Sequence, residues 1–166
     1  MDALTRMLER LQTQRACLDH AATLIGARPG AVLEVGLGKG RTYDRLRSLF
    51  PQRAIYAFDR EVHCAPQLRP DEARLFLGDF RASLPAALER LGRCAVLAHV
   101  DLGTEDFARD CALAAEVAPL LARLLLPEAL VLCDRPMAGP GWTASPHPAV
   151  QAAFAYYLYR TAASGG

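Results

Sequence analysis

Ala31-Val32-Leu33-Glu34-Val35-Gly36-Leu37-Gly38-Lys39-Gly40-Arg41-Thr42 is the stretch that decides the fold. An apolar run ends at an acid, opens into three alternating glycines and leads into a helical pattern. That is a strand, a tight loop and a helix start, a shape that brings backbone N–H groups up against a ligand. Glycine at every second position removes the Cβ atoms that would hold the ligand away. A dinucleotide fingerprint reads G-x-G-x-x-G, and here the third glycine falls one residue early, at Gly40, with Arg41 in its place. Glu34, two residues before the first glycine, would repel a pyrophosphate and suits a cationic ligand.

Downstream, the pattern of strand and helix repeats. Residues 54–59 read as a second buried strand closing on Asp59, followed by Arg60. Asp59 lies 19 residues after Gly40, near the ~20-residue offset at which a strand-end acid accepts from ribose hydroxyls. An ordinary turn aspartate is the alternative. Residues 61–73, with Pro66 and Pro70, read as a broken helix or loop. Residues 74–80 form a third strand running into Gly78-Asp79-Phe80, where Asp79 suits an adenine amino group and Phe80 its ring. A Gly-Asp pair also marks many plain turns.

A helix over residues 82–92 precedes a fourth strand at 94–101, ending in Asp101-Leu102-Gly103. Residues 104–126 are helical, with a kink or break expected at Pro119. A fifth strand spans 129–134. Strands alternating with helices mean a parallel sheet covered on both faces. Glu34, Asp59, Asp101 and Asp134 fall at the carboxyl ends of strands, where open α/β sheets bind ligands. Residues 135–148 make a long Pro/Gly-rich loop carrying Trp142 and His147. Such a loop is either a closing element or surface packing. Residues 149–155 suit a short helix, and Tyr156 to Arg160 a last strand.

Upstream, residues 2–27 place Leu4, Met7, Leu8, Leu11, Leu18, Ala22 and Ile25 at helical spacing, stopped by Pro29-Gly30. This helix, within residues 1–30, packs on the core of a single domain over residues 1–166 or serves as a subunit contact or lid. Composition agrees: 52% hydrophobic and 22% charged residues make a globular chain. A net charge of +1 gives no electrostatic case for nucleic acid. Of the 19 basic residues only Lys39 is lysine, which reads as compositional bias. The five cysteines are scattered, without a C-x-x-C pair, arguing for reduced thiols in a cytoplasmic protein and against a metal site. No run approaches the ~18–20 apolar residues of a membrane span.

With these residues in place, the chain resembles class I S-adenosyl-L-methionine (SAM) dependent methyltransferases. More closely, it is similar to a small bacterial family of SAM methyltransferases. Gln14-Arg15-Ala16, the run from Glu34 to Tyr43, Leu77-Gly78-Asp79, His99-Val-Asp-Leu-Gly103 and Tyr157-Leu-Tyr-Arg160 carry the resemblance. SAM bears both an ammonium and a sulfonium, the cations Glu34 favours. The resemblance implies a Rossmann-like α/β fold with sheet order 3-2-1-4-5 and a last strand beside the fifth. It also implies SAM as cofactor and S-adenosylhomocysteine (SAH) as product. Glu34 would sit near the methionine amino group, Asp59 at the ribose, and Asp79 and Phe80 at the adenine, with Arg60 and Gly78 also touching the cofactor. Gly36, Leu37, Gly38, Gly40, Thr42 and Asp101 would complete the cofactor site. The chain is shorter than larger class I enzymes, with room for one strand after the fifth instead of a hairpin. The resulting sheet edge, or the N-terminal helix, is where a second copy would pack.

The expected activity is methyl transfer to a small molecule, with Asp101 nearest the methyl group and His99 the second catalytic candidate. Asp101 could instead hold the substrate or cap the next helix beside Thr104. His99, amid Ala98 and Val100, could instead be a satisfied core residue. No Asn-Pro-Pro-Tyr stretch follows the fourth strand, so methylation of base or glutamine amino groups has no support. Two other classes compete: a nicotinamide-dependent oxidoreductase, weakened by the missing glycine at 41, and a non-catalytic assembly subunit.

Overall fold

A computed structural model describes residues 1–104, 106–148 and 154–163. The first helix, α1 (Ala3–Ile25), is N-capped by Asp2, which accepts from the Thr5 N–H. Gly26 ends it, before the expected Pro29-Gly30 stop. Then follow β1 (Ala31–Val35), α2 (Arg41–Leu49), β2 (Ile55–Asp59), β3 (Leu75–Leu77), α3 (Phe80–Leu91) and β4 (Ala95–Val100). The chain continues through α4 (Phe107–Ala122), β5 (Leu125–Cys133), β6 (Thr143–Ala144) and β7 (Tyr157–Arg160). The expected loop at 61–73 holds two short 3-10 turns, Pro66–Leu68 and Glu72–Arg74. Pro119 lies inside α4 without breaking it. The expected helix at 149–155 falls largely outside the described residues.

The strands form one sheet of order β3-β2-β1-β4-β5-β7-β6. β1 to β5 are parallel, and β7 runs antiparallel to β5. The order expected for the first five strands holds. The last strand expected beside the fifth is present as β7, but the room for one strand needs correction, because two strands follow β5. The loop after β5 folds back, so that β6 pairs antiparallel with β7 and the Ser145 N–H donates to the Leu158 carbonyl at 2.7 Å. Gly139 lets this happen: a Cβ there would lie 2.1 Å from the Trp142 ring. Trp142 in turn packs on Tyr159, with ring centroids 6.2 Å apart.

Alternation along the strands sorts the core into two layers. Leu33, Val35, Phe58, Val100 and Val131 pack against Leu84, Ala87, Val117 and Leu121 of α3 and α4. Val32, Leu97, Leu130, Leu132 and Leu158 pack against Cys17, Leu18, Ile25, Tyr43 and Leu46 of α1 and α2. Burying a Leu, Val or Phe side chain contributes about 1.5–3 kcal/mol, so both layers hold the sheet flat against its helices. The second layer also contains Glu34 and His99, both 0% exposed. The first two turns of α1 leave the sheet: Leu4, Met7 and Leu8 are exposed, against the expectation that they pack on it. No helix among the described residues is long and apolar enough to cross a membrane.

Candidate functional site

The glycine loop sits where β1, β2 and β4 end. The Gly36 N–H donates to the Phe58 carbonyl and the Asp101 N–H to the Val35 carbonyl, both at 2.9 Å. Gly36 has φ +100°, and a Cβ on it would lie 2.0 Å from the Asp101 carbonyl oxygen. Only glycine lets the loop and the end of β4 approach so closely. Asp59 then fastens the loop, accepting from the Gly38 N–H at 2.8 Å and from the Arg60 N–H at 2.7 Å.

Two cavities open over this loop. The larger, about 630 Å³, is lined by Gly36, Gly38, Asp59, Arg60, Gly78, Asp79, Phe80 and Asp101, among others. All eight are residues expected to touch the cofactor. Asp79 N-caps α3 through the Arg81 N–H at 2.9 Å, and that bond, then the Arg81 charge, holds its carboxyl below the usual range. Arg81 also lies 4.6 Å from the centre of the Phe80 ring. The smaller cavity, about 330 Å³, lies between the loop and α1. Met7, Arg10, Leu11 and Gln14 form one wall, and Leu37, Lys39, Arg41 and Thr42 another. Gly36, Gly38, Asp101 and Gly103 line both cavities.

The larger cavity suits an adenosyl ligand on three counts. Its volume falls within the ~300–1,000 Å³ of small-molecule sites. A Cβ added to Gly38 or Gly78 would meet no protein atom within 4 Å, so both glycines leave open space at the cradle. The buried Ser83 hydroxyl, on the cavity wall, has no hydrogen-bond partner among the described residues. Residues 78–83 thus offer a carboxylate, a ring and an unspent hydroxyl at one end. Asp59 and Asp101 supply carboxylates along the rest.

Glu34 and His99 stand differently from expectation. Glu34 lines neither cavity: the Thr42 hydroxyl donates to one oxygen, and His99 Nδ1 lies 2.7 Å from the other. It braces the loop from behind instead of meeting a ligand amino group. His99 Nε2 is 2.8 Å from the Tyr156 hydroxyl, so both ring nitrogens are engaged inside the protein. Alternation puts His99 on the α1 side of the sheet, fully buried and lining neither cavity. Burial pulls its pKa down, while the charge and hydrogen bond of Glu34 pull it up and prevail. Gly40 also misses both cavities, starting α2 at φ +77°, where a Cβ would lie 3.1 Å from the Cβ atoms of Cys64 and Leu68.

Asp101 is held by Arg10 and Gln14, of which the sequence resemblance marks only Gln14, without a role. One Arg10 nitrogen lies 3.0 and 3.1 Å from its two oxygens, and Gln14 Nε2 donates to one of them at 2.7 Å. Gln14 Nε2 also donates to the Tyr156 hydroxyl at 3.1 Å, which burial and then Asp101 push well above its ordinary pKa. The signal for Gln14 was its position, three residues after Leu11 and four before Leu18 on the apolar stripe of α1. Nothing local distinguishes Arg10 or Tyr156. Asp101 does not cap α4; Asp106 does, and Thr104 bonds Asp110. Trp142 and His147 line neither cavity. His147 Nδ1 lies 3.7 Å from Cys17 Sγ, on α1. Among the described residues no cluster could hold a metal ion.

Residues 1–161 match a family model described as S-adenosyl-L-methionine methyltransferase. The structure is similar to that of an S-adenosyl-L-methionine methyl transferase from Silicibacter pomeroyi DSS-3. The two are 37% identical, with 96% of this chain and 98% of that one covered and a TM-score of 0.88. The antibiotic-resistance methyltransferase Kmr shares the fold at 15% identity, 92% and 93% coverage and a TM-score of 0.56. DesVI of Streptomyces venezuelae shares it at 17% identity, 85% and 61% coverage and a TM-score of 0.52. No curated protein matches the sequence.

Proposed function

Because the chain belongs to the S-adenosyl-L-methionine methyltransferase family, we propose that it methylates a small molecule that meets the cofactor at the junction of the two cavities. SAM is the cofactor and SAH the product of the family's reaction; the nicotinamide reading of the glycine loop is set aside. One observation carries the proposal. A larger chamber joins a second at Gly36, Gly38, Asp101 and Gly103, which suits an extended SAM with its adenosyl part in the first and its amino-acid end beside Leu37 and Thr42 in the second.

In this reading the larger cavity holds the adenosyl part of SAM, with Asp59 and Arg60 at the ribose and Gly78, Asp79, Phe80 and Ser83 around the adenine, and the smaller cavity its amino-acid end. SAM supplies an electrophilic methyl group on sulfur, so the protein's task is mainly to position and exclude water. Asp101 does the positioning at the junction. A carboxylate has about four acceptor sites, and Arg10 and Gln14 make three contacts with them. The remaining capacity accepts the hydrogen of the acceptor's nucleophilic atom, or its proton where the chemistry releases one. A second copy of the chain would cover Leu4, Met7 and Leu8 of α1 or the β6 edge.

Thermal unfolding with SAM, SAH, NAD and no ligand tests this. A ligand at a hundred times its Kd adds about 2.7 kcal/mol to the folded state, which raises Tm by roughly 2–6 °C. SAM and SAH are expected to produce that shift and NAD none. A shift with NAD alone, or with none of the three, overturns the assignment of the larger cavity.

A further inference from the structure

Away from both cavities, a third of about 210 Å³ lies between α2, the start of β2 and the turn at Glu72–Arg74. Tyr43, Arg47, Phe50, Arg53, Asp71 and Arg74 line it, so three arginines stand against one acid. Arg47 is matched by Asp44 at 2.7 Å, whereas among the described residues neither Arg53 nor Arg74 lies within ion-pairing distance of an acid. Two positive charges are thus left on a small concave surface.

Each of the three arginines lies over an aromatic ring. Arg47 is 5.4 Å from the centre of the Tyr43 ring, Arg53 the same from Phe50, and Arg74 the same from Tyr56. Such contacts hold a guanidinium in place without neutralising it. A group already held loses less freedom on binding. Arg53 is fixed further, donating to the Gly30 and Gly26 carbonyls at 3.0 and 2.9 Å. The Tyr43 hydroxyl finds no hydrogen-bond partner among the described residues. Burial pushes its pKa up, and the charges acting on it most are those of Arg47, Asp71 and Arg74, all on the cavity wall.

We propose that this cavity is a binding site for a single phosphate group, held by Arg53, Arg74 and the Tyr43 hydroxyl with Arg47 at the rim. Guanidinium forks and a hydroxyl from separate elements suit a tetrahedral, multiply charged oxyanion, whereas a planar carboxylate fills one fork only. The size agrees. Sites for whole small molecules run to ~300–1,000 Å³, so this one takes the phosphate and leaves the rest of a phosphomonoester outside. Asp71 is the one charge on the wall that opposes the anion. None of these residues lines the larger or the smaller cavity, so the site stands apart from the two assigned to SAM.

The test titrates isotopically labelled protein, with SAH present and at constant ionic strength, with inorganic phosphate, glycerol phosphate and acetate. The side-chain N–H resonances of Arg47, Arg53 and Arg74 and the Tyr43 amide are followed. Phosphate or its monoester is expected to shift them saturably, at least about tenfold more tightly than acetate, tenfold being 1.4 kcal/mol. Whichever binds better tells free phosphate from a phosphorylated molecule. Arg74→Gln should weaken that binding by about tenfold or more, and Tyr43→Phe by about two- to tenfold. Asp71→Asn should tighten it by about twofold or more, a gain that no merely structural role predicts. Acetate bound as tightly as phosphate, no saturable shift, or shifts confined to residues 36–41 overturns the proposal. So does an Arg74→Gln protein that binds phosphate like the parent, or an Asp71→Asn protein that binds it no better. Where Arg74→Gln fails to fold, Tyr43→Phe and Asp71→Asn decide, and parent-like binding by both overturns it.

Discussion

The two faces of the sheet are built on different terms. Toward α3 and α4 the strands present Leu33, Val35, Phe58, Val100 and Val131, an apolar layer. Toward α1 and α2 the same strands present Val32 and Leu97 and, one step further along, Glu34 and His99. From there hydrogen bonds run through Tyr156 and Gln14 to Asp101 at the cavity junction. A site over a parallel sheet needs rigid strand ends. Here one face provides rigidity mainly by packing, with one buried ionic link at its edge between Asp110 and Arg135 at 2.8 Å, while the other holds the site from behind with directed bonds. A directed bond orients a carboxylate, which an apolar contact cannot do.

The largest effect that would break this comparison comes from separating the buried pair. Glu34→Leu leaves the His99 ring without its acid, and removing one partner of a buried pair costs about 3–5 kcal/mol. Adding His99→Leu should return most of that loss, because an apolar pair of similar volume is often neutral. Urea unfolding of the single and double variants measures both. If the double variant is as unstable as the single, the second face is not tolerant of apolar filling and the contrast is wrong.

Strand-end acids should behave in the opposite way. Asp59→Ala is expected to weaken SAM binding by roughly 1.5–3 kcal/mol, the range of charge-assisted hydrogen bonds, measured by calorimetry. Its effect on unfolding without ligand should be smaller than that of Glu34→Leu. Unchanged SAM affinity would remove Asp59 from the ribose.

The smallest effect concerns Asp134, at the end of β5. Burial, then the charge of Asp101, pushes its carboxyl up to about 6, against the pull of Arg135 at 3.0 Å. A carboxyl raised on folding stabilises the fold below its unfolded pKa of about 3.9, and that contribution disappears as pH rises through its folded value. Relative to Asp134→Asn, the parent protein should therefore lose about 1–3 kcal/mol between pH 4 and pH 7. Denaturant midpoints at several pH values test this, and a constant difference would show that Asp134 ionises freely.

The first five strands and their parallel sheet were legible because Val, Leu, Ile and Ala runs alternate with helical spacing and each loop carries Gly or Asp; their order came from the family resemblance. The wall of the larger cavity was legible for the same reason, since strand ends dictate which residues face a ligand. Glu34 was misplaced because the sequence shows an acid before a glycine but not the Thr42 hydroxyl and His99 ring that consume it. Arg10 and Tyr156 escaped notice, and Gln14 marked the resemblance without a role, because their roles arise from contacts across the fold. β6 was missed because two residues have no periodicity to read; pairing with β7 makes them a strand.

The bond between Gln14 and Tyr156 spans 142 residues of chain. At a synthesis rate of ~5–20 residues per second, roughly 7–30 s separate the two partners as the chain emerges. Most of the α3 and α4 layer is complete once Met137 has appeared, but the other layer still waits for Tyr156 and Leu158. For that interval Glu34 and His99 stay hydrated, facing a helix that was made first yet cannot be locked down. The site is therefore the last part of the molecule to close, and Asp101 takes up its orientation only when the late-made β7 strand has docked.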